Sequence, residues 1–95
     1  MSTISLRPAP DGEDELLQAA AARTCPPLSP MERAVLLAAA RGAEDKQIAA
    51  QLGCSISTVR TLWQRIYQKT GRHSRRKLVA ALWSEALRGL GAVVV

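Results

Sequence analysis

Residues 45–71, DKQIAAQLGCSISTVRTLWQRIYQKTG, leave little freedom in how this chain can fold. Ile48, Ala49 and Leu52 recur at i, i+1 and i+4, which lays one apolar stripe on a short helix. Gly53 follows the last of them, and glycine takes the left-handed backbone that ends a helix at little cost. Ser55 can then offer its hydroxyl to the amide of Thr58 and cap a second helix, expected over residues 56–70. Along that helix Val59, Leu62, Trp63, Ile66 and Tyr67 fall on one side, and Ser57, Arg60, Thr61, Gln64, Arg65 and Gln68 on the other. Two helices joined this tightly, the second turning polar and cationic side chains outward, have the shape and chemistry of a unit that enters a DNA major groove.

The distribution of charge points the same way. The net charge of +5 is the sum of an acidic first half, net −3 over residues 1–45, and a basic second half, net +8 over residues 46–95. The basic half contains the two-helix unit. Such a patch lowers the free energy of approach to a polyanion and supplies salt-dependent phosphate binding. A basic face that only aids solubility is the plainer reading, and its coincidence with the two-helix unit argues against it.

Several classes are disfavoured. No apolar run approaches the ~20 residues that cross a bilayer. The start, MSTISLRPAPDGEDELL, lacks the basic start followed by a long apolar stretch that marks a signal peptide. A cytoplasmic protein is expected, with Cys25 and Cys54 as thiols. These two cysteines form no metal motif and His73 is the only histidine, so neither a metal nor a cofactor is expected. An enzyme is not expected either, because the chain has no paired acid/base constellation and no glycine-rich phosphate loop.

Around the unit, the chain is punctuated by caps. Residues 1–10 read as a flexible arm with two prolines. Asp11 can cap a helix starting near Gly12, with Glu13, Asp14 and Glu15 in the turn that the helix dipole favours for acids. That helix runs to about Arg23 and is stopped by Cys25-Pro26-Pro27; its face of Leu16, Leu17, Ala20 and Ala21 must pack on the domain or on a partner. Ser29-Pro30-Met31-Glu32 is a capping box with proline in the first turn. Val35, Leu36, Ala39 and Ala40 give that helix a buried stripe, and Gly42 its exit. After Gly71, Ser74 caps a last helix whose Leu78, Val79, Leu82, Trp83, Ala86, Leu87 and Leu90 form a wide apolar surface. Gly89 and Gly91 weaken its end, before an apolar tail.

The succession LSPMERAVL, ARG, DKQIAAQLGCSISTVRTLWQRIYQKTG and RHSRRKLV resembles the LuxR/GerE-type DNA-binding domain over roughly Leu28 to Leu82. The resemblance implies an all-α fold of four helices, the second and third forming the helix-turn-helix and the fourth commonly serving dimerisation. With the additional short N-terminal helix, the expected division is residues 1–27 as arm and helix, 28–90 as the DNA-binding domain, and 91–95 as the tail.

At matching positions, the resemblance implies that Lys46 and Thr58 hold phosphate oxygens and that Arg60 contacts a base or a phosphate. Val59 falls where an apolar side chain can approach a thymine methyl, with core packing as the competing role. Position around the helix adds Ser57, Thr61 and Gln64 to Arg60 in the groove, and turns Arg65, Lys69, Arg72 and His73 towards the strand backbone. Ile56, Leu62, Trp63 and Thr70 depart from the family pattern. Leu62 and Trp63 either pack internally, the favoured reading, or contact DNA or another protein.

The expectation is therefore a small transcription regulator that binds double-stranded DNA as a homodimer. Leu82, Trp83, Ala86, Leu87 and Leu90 would form the dimer contact, unless the N-terminal helix covers that surface within one chain. The 27 residues before Leu28 are too few for a sensory or phosphoacceptor domain, so control is expected from abundance, from a partner or from the N-terminal segment, unless the chain is a fragment. Two alternatives compete. A sigma-factor fourth region shares the LSPMERAVL-like opening but not the RHSRRKLVAALW continuation. A protein-binding adaptor would keep the fold and use Leu62, Trp63 and the N-terminal helix to hold its partner.

Overall fold

The computed structural model describes residues 9–24 and 26–88, which form five helices: α1 (Ala9–Thr24), α2 (Pro30–Ala40), α3 (Asp45–Leu52), α4 (Ile56–Thr70) and α5 (Arg75–Arg88). No strand occurs among the described residues. Three serines set three of the helix starts. Ser29 Oγ accepts from the Glu32 amide at 3.1 Å, and Glu32 Oε1 accepts from the Ser29 amide at 2.9 Å, so the capping box closes in both directions. Ser55 Oγ accepts from the Thr58 amide at 3.1 Å, and Ser74 Oγ from the Lys77 amide at 3.3 Å. Each bond satisfies a donor that a helix start leaves without an intrahelical partner.

Two glycines set the exits of the helix-turn-helix. Gly53 and Gly71 cap α3 and α4 with φ of 69° and 74°, in the left-handed region that a Cβ disfavours. The turn between α3 and α4 is then only Gly53, Cys54 and Ser55, with Cys54 half-buried against the core.

Helix α2 is the hub. It packs against α1, α3, α4 and α5, so its buried surface extends beyond the expected stripe of Val35, Leu36, Ala39 and Ala40 to Leu37 and Ala38. Ile48 and Ala49 of α3 and Val59, Leu62, Trp63 and Ile66 of α4 close one side of the core. Leu78, Leu82 and Ala86 of α5 and Leu17, Ala20 and Ala21 of α1 close the other. Trp83 donates its indole N–H to the carbonyl of Ala40 at 2.8 Å, which satisfies a terminal carbonyl of α2.

Helix α1 packs along α5, and Arg23 fixes the pair from its rim. Its Nε donates to Glu85 Oε2 at 2.8 Å and its Nη2 to the Glu85 carbonyl at 3.0 Å. Arg88 holds the other oxygen of the same carboxylate at 2.9 Å. The hydrogen bonds from Arg23 and then Arg88 keep Glu85 below the ordinary carboxylate range, outweighing a smaller desolvation. The start of α1 differs from expectation: it begins at Ala9, so Asp11 lies within the helix rather than at its cap. Pro10 is accommodated because a first-turn residue needs no amide donor. Most of the arm expected over residues 1–10, the stop at Cys25, the exit at Gly89 and Gly91, Leu90 and the tail 91–95 lie outside the described residues.

Glu32 is the one charged side chain buried in this core among the described residues, 2% exposed. Desolvation is the largest influence on its carboxyl and would raise its pKa. The Lys69 ammonium, 2.7 Å from Oε1, and the Ser29 amide together outweigh it, leaving the pKa below the ordinary value of 4.5. The folded protein thus holds its proton at Glu32 less readily than the unfolded chain does. The associated stability is present above the ordinary carboxylate value and is lost as pH falls through the lowered one. Glu32→Gln keeps an acceptor for Ser29 but removes the charge. It should lower stability by about 1–3 kcal/mol at neutral pH, a difference that narrows under acid. Denaturant unfolding at pH 7 and pH 3 checks this, and a gap independent of pH would exclude the charge as its origin.

Candidate nucleic-acid interface

The outward face of α4 is built by its own periodicity. Val59, Leu62, Trp63 and Ile66 turn inward, which leaves Ser57, Thr61, Gln64 and Gln68 as one exposed row along the opposite side. Arg60 and Arg65, both exposed, flank that row. At the head of the helix Thr58 is exposed, and its hydroxyl lies 3.0 Å from Ser55 Oγ. Lys46 is exposed in the first turn of α3, whose start is tied by the Glu44 amide donating to Gln47 Oε1 at 2.8 Å. Arg72 and His73 are exposed in the turn that follows Gly71. Among the described residues, no acidic side chain pairs with Lys46, Arg60, Arg65 or Arg72.

Two of the residues assigned to this face from the sequence stand elsewhere. Val59 has no exposed surface and is core, so it has no route to a thymine methyl in this arrangement. Lys69 is partly exposed, but it follows Leu62 and Ile66 by seven and three residues and so emerges on the side facing α2. There Glu32 holds its ammonium, and Lys69 braces the fold instead of facing a strand backbone.

Leu62 and Trp63 pack internally, as the favoured reading had it. The indole N–H of Trp63 donates to Asp45 Oδ1 at 3.1 Å, and its ring stacks on Tyr67 with centroids 5.7 Å apart. The Arg75 guanidinium covers Trp63 at 4.4 Å from the ring centroid and pairs with the same Asp45 oxygen at 2.7 Å. Ile56, at the first position of α4, is partly exposed at the edge of the outer face.

Of the residues expected to pair two copies, Leu82 and Ala86 are each 1% exposed, enclosed by the chain's own packing. Trp83 is half-buried and bonded to α2. Only Leu87, 60% exposed, stands open among those described. The sequence left Gln68 out of the contacting set although it extends the row of Ser57, Thr61 and Gln64 by four residues. Arg76 and Lys77 were also passed over; both are exposed at the start of α5, and the charge run RHSRRK was the available signal.

A short helix, a three-residue turn and a second helix with its polar row outward define a helix-turn-helix DNA-binding module. The chain matches the model of the family described as bacterial regulatory proteins, luxR family (GerE), over residues 26–82, and it belongs to that family. No curated protein and no solved structure matches it significantly. The family assignment makes the protein a DNA-binding regulator. Its α1 lies outside the matched stretch. Among the described residues, no helix is long and apolar enough to cross a membrane.

The enclosure of Val59 separates stability from recognition. Val59→Ala should lower stability by about 2 kcal/mol, from lost burial and a residual cavity, while the ranking of preferred DNA sequences stays the same. Thermal melts and binding to a panel of duplexes check the two halves. A changed base preference without destabilisation would contradict the buried role.

Proposed function

We propose that this regulator acts in the cytoplasm by inserting α4 into the major groove of a duplex, with residues 28–90 as the DNA-binding unit. Ser57, Arg60, Thr61 and Gln64 meet base edges, while Lys46, Thr58, Arg65 and Arg72 meet phosphates. The observation that carries this reading is the exposed polar row of α4 between Arg60 and Arg65, with no acidic partner on either arginine among the described residues. Phosphate contacts supply affinity and register, and edge contacts supply discrimination. The adaptor alternative is less favoured, because Leu62 and Trp63, the surface it requires, are enclosed.

The regulator works as a homodimer, since one recognition helix spans a single half-site. The supporting feature is the exposed Leu87 near the end of α5. With Leu82 and Ala86 enclosed, the contact centres on Leu87 in the last turn of α5. Sedimentation at micromolar concentration, with and without duplex, tests this. A strict monomer in both conditions would remove the dimer.

The reading residues are tested after selection of a preferred site from a random DNA pool. Arg60→Ala should cost about 1–3 kcal/mol on the selected site and clearly less on random duplex. Equal losses on both would reassign Arg60 to the phosphates.

A further inference from the structure

Helix α5 packs along α1 and α2 but not along α4. Its start is nevertheless tied to the helix-turn-helix by three side chains. Arg75 Nη2 lies 2.7 Å from Asp45 Oδ1, the guanidinium covers the Trp63 ring at 4.4 Å, and the indole N–H donates to that same oxygen at 3.1 Å. One carboxylate oxygen thus joins the first residue of α3, the middle of α4 and the first residue of α5. A planar guanidinium can stack on the ring and donate at its edge together, which an ammonium cannot do.

Cations follow two members of this triad in the chain, while the exposed Glu44 precedes Asp45. Lys46 follows Asp45, and Arg76 and Lys77 follow Arg75. All three are exposed, and no acid pairs with them among the described residues. Asp45 alone would repel a phosphate approaching Lys46, and its pairing with Arg75 cancels that repulsion. Arg75 in turn spends its charge on Asp45 and one face on Trp63, so it is poorly placed to be a phosphate ligand itself.

We infer that Arg75 is a positioning residue for a second phosphate-binding edge formed by Arg76 and Lys77 at the start of α5, set beside Lys46. This rests on the DNA-binding reading above and extends it from the face of α4 to a further element. The edge is sequence-independent, because it consists of cations that meet the strand backbone and not base edges.

The test is salt-dependent binding to a short random-sequence duplex, followed by fluorescence anisotropy, with thermal melts of each variant. Arg76→Ala with Lys77→Ala should reduce the slope of log affinity against log salt by roughly 1.8, about 0.9 for each phosphate no longer neutralised. Arg75→Gln should reduce the slope in the otherwise native chain and by clearly less once Arg76 and Lys77 are gone, where only its effect on Lys46 through Asp45 remains. Arg75→Lys, which keeps the charge but loses the stacked fork, should fail to restore the slope.

An unchanged slope in the double variant overturns the edge, and that variant leaves the triad intact, so it reports even where Arg75→Gln unfolds. An equal fold-loss from Arg75→Gln in both backgrounds overturns the positioning role, since a general loss of folding acts irrespective of Arg76 and Lys77. Absence of salt-dependent binding by the native chain overturns the parent reading as well. Native binding combined with an unchanged slope overturns this edge alone.

Discussion

A single carboxylate oxygen, Glu32 Oε1, sits at the junction of α2 and α4. It accepts from the Ser29 amide at 2.9 Å and from the Lys69 ammonium at 2.7 Å, so it closes the cap of α2 and joins that cap to the last turn of α4. Helix α2 touches every other helix, and α4 carries the outward polar row. An ion pair at this junction therefore fixes the recognition helix relative to the hub. A buried carboxylate is expensive to desolvate, and removing its partner is worse than never having had the pair. The geometry meets that demand with two donors on one oxygen. The pair is directional as well as attractive, so it favours one register of α4 on α2 where apolar contacts alone would tolerate several.

The helix starts and stops were legible because they are local. Ser29, Ser55 and Ser74 each act on an amide three residues away, and Gly53 and Gly71 act on their own backbone. The division of α4 into inward and outward faces was legible for the same reason, being a matter of period. Contacts between residues far apart in the chain were not. Nothing in the spacing connects Asp45 with Trp63, Glu32 with Lys69 or Trp83 with Ala40, which lie 18, 37 and 43 residues apart. Lys69 illustrates the difficulty. As one cation in a basic stretch it read as a phosphate ligand, and only its angular position behind Leu62 and Ile66 puts it on α2. The start of α1 was misjudged on local grounds, because Asp11 is a good cap that the chain does not use as one.

The relation between α1 and α5 alters what the terminal helix can do. Its wide apolar surface read as a dimer contact, unless the N-terminal helix covered it within one chain. Leu17, Ala20 and Ala21 of α1 are buried, and so are Leu82 and Ala86 of α5, with Arg23 bonded to Glu85 across the rim. The two uses compete for the same side chains. While α1 is seated, Leu87 is the residue of that expected contact left open among those described. Helix α1 lies outside the stretch that matches the family, so this contact joins the matched module to a segment before it.

Charge segregation in the sequence is not charge segregation in space. The basic half contributes Lys69 and Arg75 to acids of the other half, Glu32 and Asp45, and Arg88 to its own Glu85. Each of those cations braces a helix junction or a helix end. Of that half, the cations with no acidic partner among the described residues are Lys46, Arg60, Arg65, Arg72, Arg76 and Lys77, spread over α3, α4, the following turn and α5. Internal pairing therefore sorts one basic stretch into groups that position helices and groups free to neutralise phosphate. The number of free groups, and not the formal charge of the half, should govern the salt dependence of binding, since counterion release counts phosphates neutralised and not charges carried. A protein can in this way hold a high density of basic residues without internal repulsion, provided that its few acids stand at the helix junctions.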